Sequence, residues 1–119
     1  MMSLTIYEYP KCGTCRNAKK WLSENGVEFE AIHIVDSPPS ATELKELHAI
    51  SGVELKAFFN TSGKKYRELD LKTKLPNMSD EEKYQLLASD GMLIKRPIVT
   101  DGEKVSFGFK QDQFNDLWL

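Results

Sequence analysis

Ile6-Tyr7-Glu8-Tyr9-Pro10-Lys11-Cys12-Gly13-Thr14-Cys15-Arg16-Asn17-Ala18 is the stretch on which the reading of the chain turns. A short β-favouring run, Leu4 to Tyr9, breaks at Pro10 and leads directly into a Cys-x-x-Cys. Cys15, Ala18 and Leu22, with Trp21 beside them, then recur at helical spacing, and Gly26 ends the pattern as a left-handed-tolerant residue should. The two sulfurs therefore stand where a strand hands over to a helix. Cys12 is at or just before the helix start and Cys15 is one turn in.

That placement has a chemical consequence. The unpaired N–H groups and the positive dipole end at a helix start favour an anion. The anion on offer is a thiolate, so the pKa of Cys12 is expected below the ~8.5 of a free cysteine. Lys11 and Arg16 add positive charge. Cys15 lies on the apolar stripe and is expected to be the weaker nucleophile, which suggests one attacking and one resolving thiol. Two other readings stand beside this one: half of a zinc site, or two small core residues. Structural zinc needs about four ligands, usually in two close pairs. No second cysteine pair exists, and His33 and His48 are the only histidines. No metal is expected.

At 119 residues the chain is expected to form a single domain over 1–119 with an adequate core. Its net charge is −2 with both signs interleaved, and no basic run or Arg–aromatic cluster marks a nucleic-acid footprint. No apolar stretch approaches the ~20 residues of a membrane span. Met1-Met2-Ser3-Leu4-Thr5 lacks the pattern of a signal peptide. A cytoplasmic location is expected, where a Cys-x-x-Cys is more often catalytic than structural.

Val27 to Ile34 alternates and reads as a second strand, completing a parallel βαβ unit with His33 at a surface or strand-edge position. Asp36 to Pro39 is a loop. Ser40 and Glu43 form a capping box ahead of Leu44, Leu47 and Ile50, and this helix ends near Gly52. His48 on that helix reads as a satisfied interfacial residue. Val53 to Phe59 is predicted as a second short helix burying Leu55, Phe58 and Phe59. Asn60-Thr61-Ser62-Gly63 is a turn that could also offer an amide and hydroxyls to an anion. Lys64 to Leu69 reads as a solvated helix face, and Ser79 with Glu82 caps another helix that stops at Asp90-Gly91. Ile98–Thr100 and Lys104–Phe107, joined at Asp101-Gly102, form a predicted antiparallel hairpin. A last helix, Gln111 to Trp118, puts Phe114, Leu117 and Trp118 on one side. The expected class is α/β: βαβ, a helical insert at about 38–93, then ββα on a mixed central sheet.

That order, with a Cys-x-x-Cys closing the first strand, resembles the thioredoxin/glutaredoxin pattern. Tyr9-Pro10-Lys11-Cys12-Gly13-Thr14-Cys15-Arg16 and Arg96-Pro97-Ile98-Val99, together with the insert, resemble the thioredoxin-fold arsenate reductase family, which also includes the Spx-type transcriptional regulators. The likeness spans nearly the whole chain. It implies a cis proline at Pro97, lying against the cysteines, with Cys12 as nucleophile and Cys15 as internal resolving thiol. Arg96 would hold an oxyanion, for which a planar, permanently charged guanidinium is suited. Gly13, Thr14 and Asn60 complete the expected oxyanion site.

Two departures accompany the likeness. Glutathione-coupled arsenate reductases of this family bring further arginines to the site. Asn60 stands where one is expected, and only Lys104 and Lys110 are basic candidates for another. Those reductases also carry one active-site cysteine, whereas this chain supplies Cys15, as Spx-type members do. The resemblance implies no bound cofactor but an external thiol donor, thioredoxin or glutathione/glutaredoxin, and a monomer acting on a small oxyanion or disulfide. The alternatives are an Spx-like redox regulator that binds RNA polymerase near Gly52, or a glutaredoxin-like domain that has lost arsenate activity.

Overall fold

The computed structural model describes residues 4–119; Met1 to Ser3, on which the expectation of no signal peptide partly rests, lie outside the described residues. The strands are β1 (Leu4–Glu8), β2 (Phe29–His33), β3 (Ile98–Thr100) and β4 (Val105–Phe107). The helices are α1 (Gly13–Glu24), α2 (Ala41–Ser51), α3 (Lys64–Glu68), α4 (Leu71–Lys74), α5 (Asp80–Ser89) and α6 (Gln111–Trp118). The sheet order is β2-β1-β3-β4, with β1 parallel to β2 and antiparallel to β3, and β3 antiparallel to β4. This is the expected mixed sheet in βαβ–insert–ββα order. No helix among the described residues is long and apolar enough to cross a membrane.

Period-two alternation sorts the strands between two cores. Leu4, Ile6 and Val99 face Ala18, Trp21 and Leu22 of α1 and Phe114 and Trp118 of α6. Tyr7 and Ile98 face the other way, onto Leu44, Leu47, Phe58, Tyr84 and Leu87 of the insert. Burying each such large side chain contributes ~1.5–3 kcal/mol, so an apolar layer on either face holds the sheet in place.

Both predicted capping boxes form: Ser40 with Glu43 and Ser79 with Glu82 each exchange their two hydrogen bonds. Gly52, at φ 69°, closes α2 in the left-handed conformation. Three details differ from expectation. The segment predicted as a helix from Val53 to Phe59 is a single 3-10 turn, Leu55–Phe58, although Leu55, Phe58 and Phe59 are buried as expected. It is too short for a helical ladder, and Phe59 instead pairs as an isolated bridge with Ile94. Lys64 to Glu68 is not purely a solvated face, because Tyr66 is buried against Phe59. In α6, Phe114 and Trp118 are buried, while Leu117 is only partly covered.

Candidate active site

The strand-to-helix handover is where the sequence places it. β1 ends at Glu8, the Cys12 N–H donates to the Tyr9 carbonyl at 2.9 Å, and Cys12 is the N-cap of α1 with extended backbone (φ −88°, ψ 118°). Cys12 is partly exposed and Cys15 fully buried, and both are free thiols. The Cys12 sulfur accepts no formal capping bond, yet the N–H groups of Cys15 and Thr14 are close enough to favour its anion.

These surroundings separate the two thiols. For Cys12, desolvation opposes ionisation. The backbone N–H and thiol of Cys15, the Arg96 guanidinium and the Thr14 N–H outweigh it, and the Cys12 pKa is held below that of an ordinary thiol. For Cys15, burial pushes the pKa up to about 12; the neighbouring Cys12 sulfur and the Glu8 carboxylate push the same way, against the Tyr9 backbone. These surroundings thus favour the anion at Cys12 and oppose it at Cys15.

Arg96 reaches the site from the far end of the insert. Asn60 N–H donates to the Leu93 carbonyl at 2.8 Å and Lys95 N–H to the Phe58 carbonyl at 2.8 Å, flanking the Phe59–Ile94 bridge. These bonds lash the 58–60 segment to the 93–95 segment and put Asn60 beside Arg96. The Arg96–Pro97 peptide is cis and leads into β3. The guanidinium carbon lies 5.2 Å from the centre of the Tyr9 ring. Its Nε and Nη1 are buried and have no hydrogen-bond partner among the described residues. Buried charged donors left unpaired are costly, and such an exception calls for a reason.

Cys12, Thr14, Asn60, Lys95, Arg96 and Lys110 share one cavity of about 470 Å³, with Ser62 and the Phe107–Phe109 segment completing its wall. Lys95, Arg96 and Lys110 make no ion pair among the described residues. The cavity therefore presents three positively charged side chains without an ion-pair partner around the Cys12 sulfur. A wider hollow of about 790 Å³ along α6 contains neither thiol nor guanidinium.

Of the residues singled out from sequence, Cys12, Thr14, Asn60 and Arg96 line this cavity, while Gly13 begins α1 without lining it. The Asn60 Oδ1 accepts a bond from Ser62 Oγ at 3.4 Å. Lys110 lines the cavity, but Lys104 does not: its ammonium donates to the Leu117 carbonyl at 2.6 Å and sits over the Trp118 ring. Lys95 was not singled out from sequence; the pairing of the 58–60 and 93–95 segments brings it to the cavity. His33 and His48 have structural partners. His33 Nδ1 accepts from the Val35 and Asp36 N–H groups, and His48 Nδ1 lies 2.7 Å from the Tyr84 hydroxyl. Among the described residues no three His, Cys, Asp or Glu side chains are grouped to hold a metal ion.

Comparison with known proteins agrees with this geometry. The ArsC family model matches residues 7–117. An uncharacterized protein of Bacillus subtilis (strain 168), YusI, is 67% identical over 117 residues, covering 98% of this chain and 99% of its own length. The crystal structure of a possible arsenate reductase from Streptococcus mutans UA159 superposes with a TM-score of 0.88 at 46% identity, covering 97% of this chain and 99% of that one. The global transcriptional regulator Spx of Streptococcus pyogenes serotype M1 is 29% identical over 110 residues, 92% of this chain and 81% of its own. Strand-to-helix Cys-x-x-Cys, Arg-cisPro and near full-length similarity converge on one assignment: the chain belongs to the ArsC family.

Proposed function

We propose that the chain is a thiol-dependent oxidoreductase in which Cys12 is the nucleophile, Cys15 the resolving thiol and Arg96 the anion holder. The observation that carries this reading is that Arg96, two of whose buried donors have no partner among the described residues, lines the same cavity as Cys12. An anionic substrate entering there would pair the guanidinium and come within reach of the sulfur. For a disulfide, Cys12 displaces one thiolate and forms a mixed disulfide. Cys15, having lost its proton, attacks Cys12; the Cys12–Cys15 bond forms and the second thiolate leaves with the electron pair. For arsenate, addition of Cys12 with loss of water, followed by the same attack of Cys15, releases arsenite. Either way the dithiol gives up two electrons. No bound cofactor is required; an external thiol donor, thioredoxin or glutathione/glutaredoxin, restores the dithiol. Lys110, one of the two basic candidates for a further arginine of the family, and Lys95 beside Arg96 add charge to the cavity, but as point charges without the planar fork.

The test is NADPH consumption by the purified protein with arsenate, coupled in parallel to thioredoxin/thioredoxin reductase and to glutathione/glutaredoxin. Turnover lost in Cys12→Ser and Arg96→Ala supports the reading; turnover that survives Cys12→Ser overturns it.

A redox-responsive regulator that contacts RNA polymerase is a second reading. Ile50 and Val53 flank Gly52 with 40% and 36% of their surface exposed, an apolar spot on the end of α2 suited to a protein partner. A polymerase pull-down that stays empty with both the dithiol and the disulfide form removes it.

A further inference from the structure

The positive charge of the Cys12 cavity does not end at its rim. Lys95, Lys110 and Phe107 also line a second hollow, of about 540 Å³, whose other wall is the 54–61 segment with Lys56. Lys56 in turn borders a smaller hollow of about 150 Å³, where Lys72 of α4 and Lys83 of α5 join it beside Leu75, Pro76 and Tyr66. None of these lysines, nor Arg96, forms an ion pair among the described residues. The one carboxylate among the described residues lining the three hollows, Glu54, is ion-paired to none of them. Composition does not account for such a run, because the chain has 16 Lys and Arg against 18 Asp and Glu. The lysines that do have carboxylate partners, Lys19, Lys45, Lys64, Lys65 and Lys104, all lie outside these hollows. A further hollow that shares Arg96 contains Lys64 and Lys65, but Glu68 and Asp90 lie 3.8 and 3.9 Å from them. The uncompensated charge therefore leads away from Cys12 along one course, past Lys95 and Lys110 to Lys56 and the insert.

Clefts lined by one sign of charge focus the field and gather counter-charge. A tetrahedral oxyanion at Arg96 would leave the second and third hollows without a purpose. We propose that this cationic track docks an extended acidic polypeptide segment, so that the substrate is a protein or peptide disulfide with Asp or Glu residues beside the reacting cysteine. This rests on the reading of Cys12 as nucleophile. Hollows joined end to end through shared lysines suit a chain, and an extended chain advances ~3.3–3.6 Å per residue, offering carboxylates to successive ammonium groups. Phe107, which borders the first two hollows, gives the segment an apolar contact between the charges. Lysine fits irregularly placed carboxylates, because its compact ammonium on a flexible stem does not demand the bidentate geometry of a guanidinium. A nucleic acid would match the charge but brings no sulfur to Cys12, and the track lacks the stacked aromatic platform that single strands use. In the reaction Cys12 attacks the segment's sulfur, a Cys12–segment disulfide forms, and the former partner sulfur leaves with the electron pair. Cys15, having lost its proton, then attacks Cys12, and the segment leaves as a thiolate. Each exposed ammonium contributes little by itself, so the preference belongs to the run and fades with salt.

Two synthetic peptides test this without knowledge of the natural substrate. Each carries one cysteine as its mixed disulfide with neutral thiopyridine, flanked by aspartates in one peptide and by asparagines in the other. Attack by Cys12 on the peptide sulfur expels thiopyridone, whose absorbance gives the rate. The unaltered protein is expected to react at least about tenfold faster with the aspartate peptide at low ionic strength, and added salt should shrink that ratio. Lys56→Gln combined with Lys72→Gln removes two exposed lysines that lie outside the Cys12 cavity, and should bring the ratio to within about twofold of unity. Lys45→Gln, which removes the partner of Glu81, should keep the ratio. Equal rates with the two peptides, a ratio insensitive to salt, a ratio retained in the double variant or an equal loss in Lys45→Gln overturns the docking of an acidic segment alone. So does a single-stranded oligonucleotide that displaces the aspartate peptide at equal total charge. No thiopyridone from either peptide, or release that persists in Cys12→Ser, overturns the reading of Cys12 and this one with it.

Discussion

Replacing Arg96 with alanine separates binding from thiol activation. Two donors, Nε and Nη1, are buried and unpartnered beside the Cys12 cavity. Hydrogen bonds to charged groups contribute ~1.5–3 kcal/mol each, so two of them amount to about 3–6 kcal/mol toward a bound oxyanion. At about 1.4 kcal/mol per tenfold, kcat/KM for an anionic substrate should fall by roughly two to four powers of ten. The fold should hardly notice. The contact over the Tyr9 ring is worth ~0.5–1 kcal/mol, and its loss is offset by removal of two unsatisfied donors. Arg96 also favours the Cys12 thiolate, so the pH midpoint of Cys12 alkylation by neutral iodoacetamide should rise. Arg96→Lys restores charge without the fork. It should bring the alkylation midpoint back toward the original while leaving most of the anion defect in place. The assay is therefore steady-state reduction of an anionic substrate alongside alkylation by a neutral probe, for both variants. Unchanged kcat/KM in Arg96→Ala, or full recovery in Arg96→Lys, refutes the argument that the paired donors hold the substrate.

The other expectations are simpler. In the native protein iodoacetamide should label Cys12 with a midpoint below the ~8.5 of free cysteine, and leave Cys15, whose pKa is pushed up to about 12, unlabelled at neutral pH; mass spectrometry of the peptides checks both. Ser79→Ala removes the cap of α5 and should cost ~1 kcal/mol by thermal unfolding at neutral pH. The Ser79 backbone and hydroxyl bonds hold the Glu82 carboxyl below its usual range. A carboxyl held low in the folded state adds stability above its ordinary pKa and loses it as the pH falls through the folded value, so the deficit of this variant should narrow in acid. Gly91→Ala should be severely destabilising, because its Cβ would come within 1.9 Å of the Ile34 carbonyl oxygen. Backbone cannot move aside as a side-chain tip can, and the cost should reach at least the ~1–3 kcal/mol typical of overpacking, read from chemical denaturation.

Local signals carried most of the fold. The apolar alternation of Leu4 to Tyr9, the two Ser–Glu boxes and Gly52 are decided by neighbours a few residues away, and each appears as expected. The Val53–Phe59 segment shows where such signals stop. Its apolar spacing fits a helix, but the tertiary bridge from Phe59 to Ile94 takes the backbone bonds a longer helix would have used. The same holds at the site. Cys12 and Arg96 were legible because their chemistry is unusual and their neighbours distinctive. Lys95 was not, because nothing local distinguishes a cavity-lining lysine from one on an exposed face; only the pairing of 58–60 with 93–95 places it. Glu8 is the instructive case. Its even-numbered place after Leu4 and Ile6 puts it on the buried side by parity alone, yet a carboxylate at a strand end ordinarily reads as the beginning of solvent.

The lashing of 58–60 to 93–95 makes one wall of the cavity out of two segments far apart in the chain and held together by three backbone pairings. Any anion that bridges Asn60 and Arg96 binds only the fastened form, and so must by mass action tighten the fastening. Occupancy and local opening are then one equilibrium read from two ends. The slowing of deuterium uptake at the Asn60 and Lys95 amides, titrated against an added anion, would report affinity with no chemistry at sulfur at all.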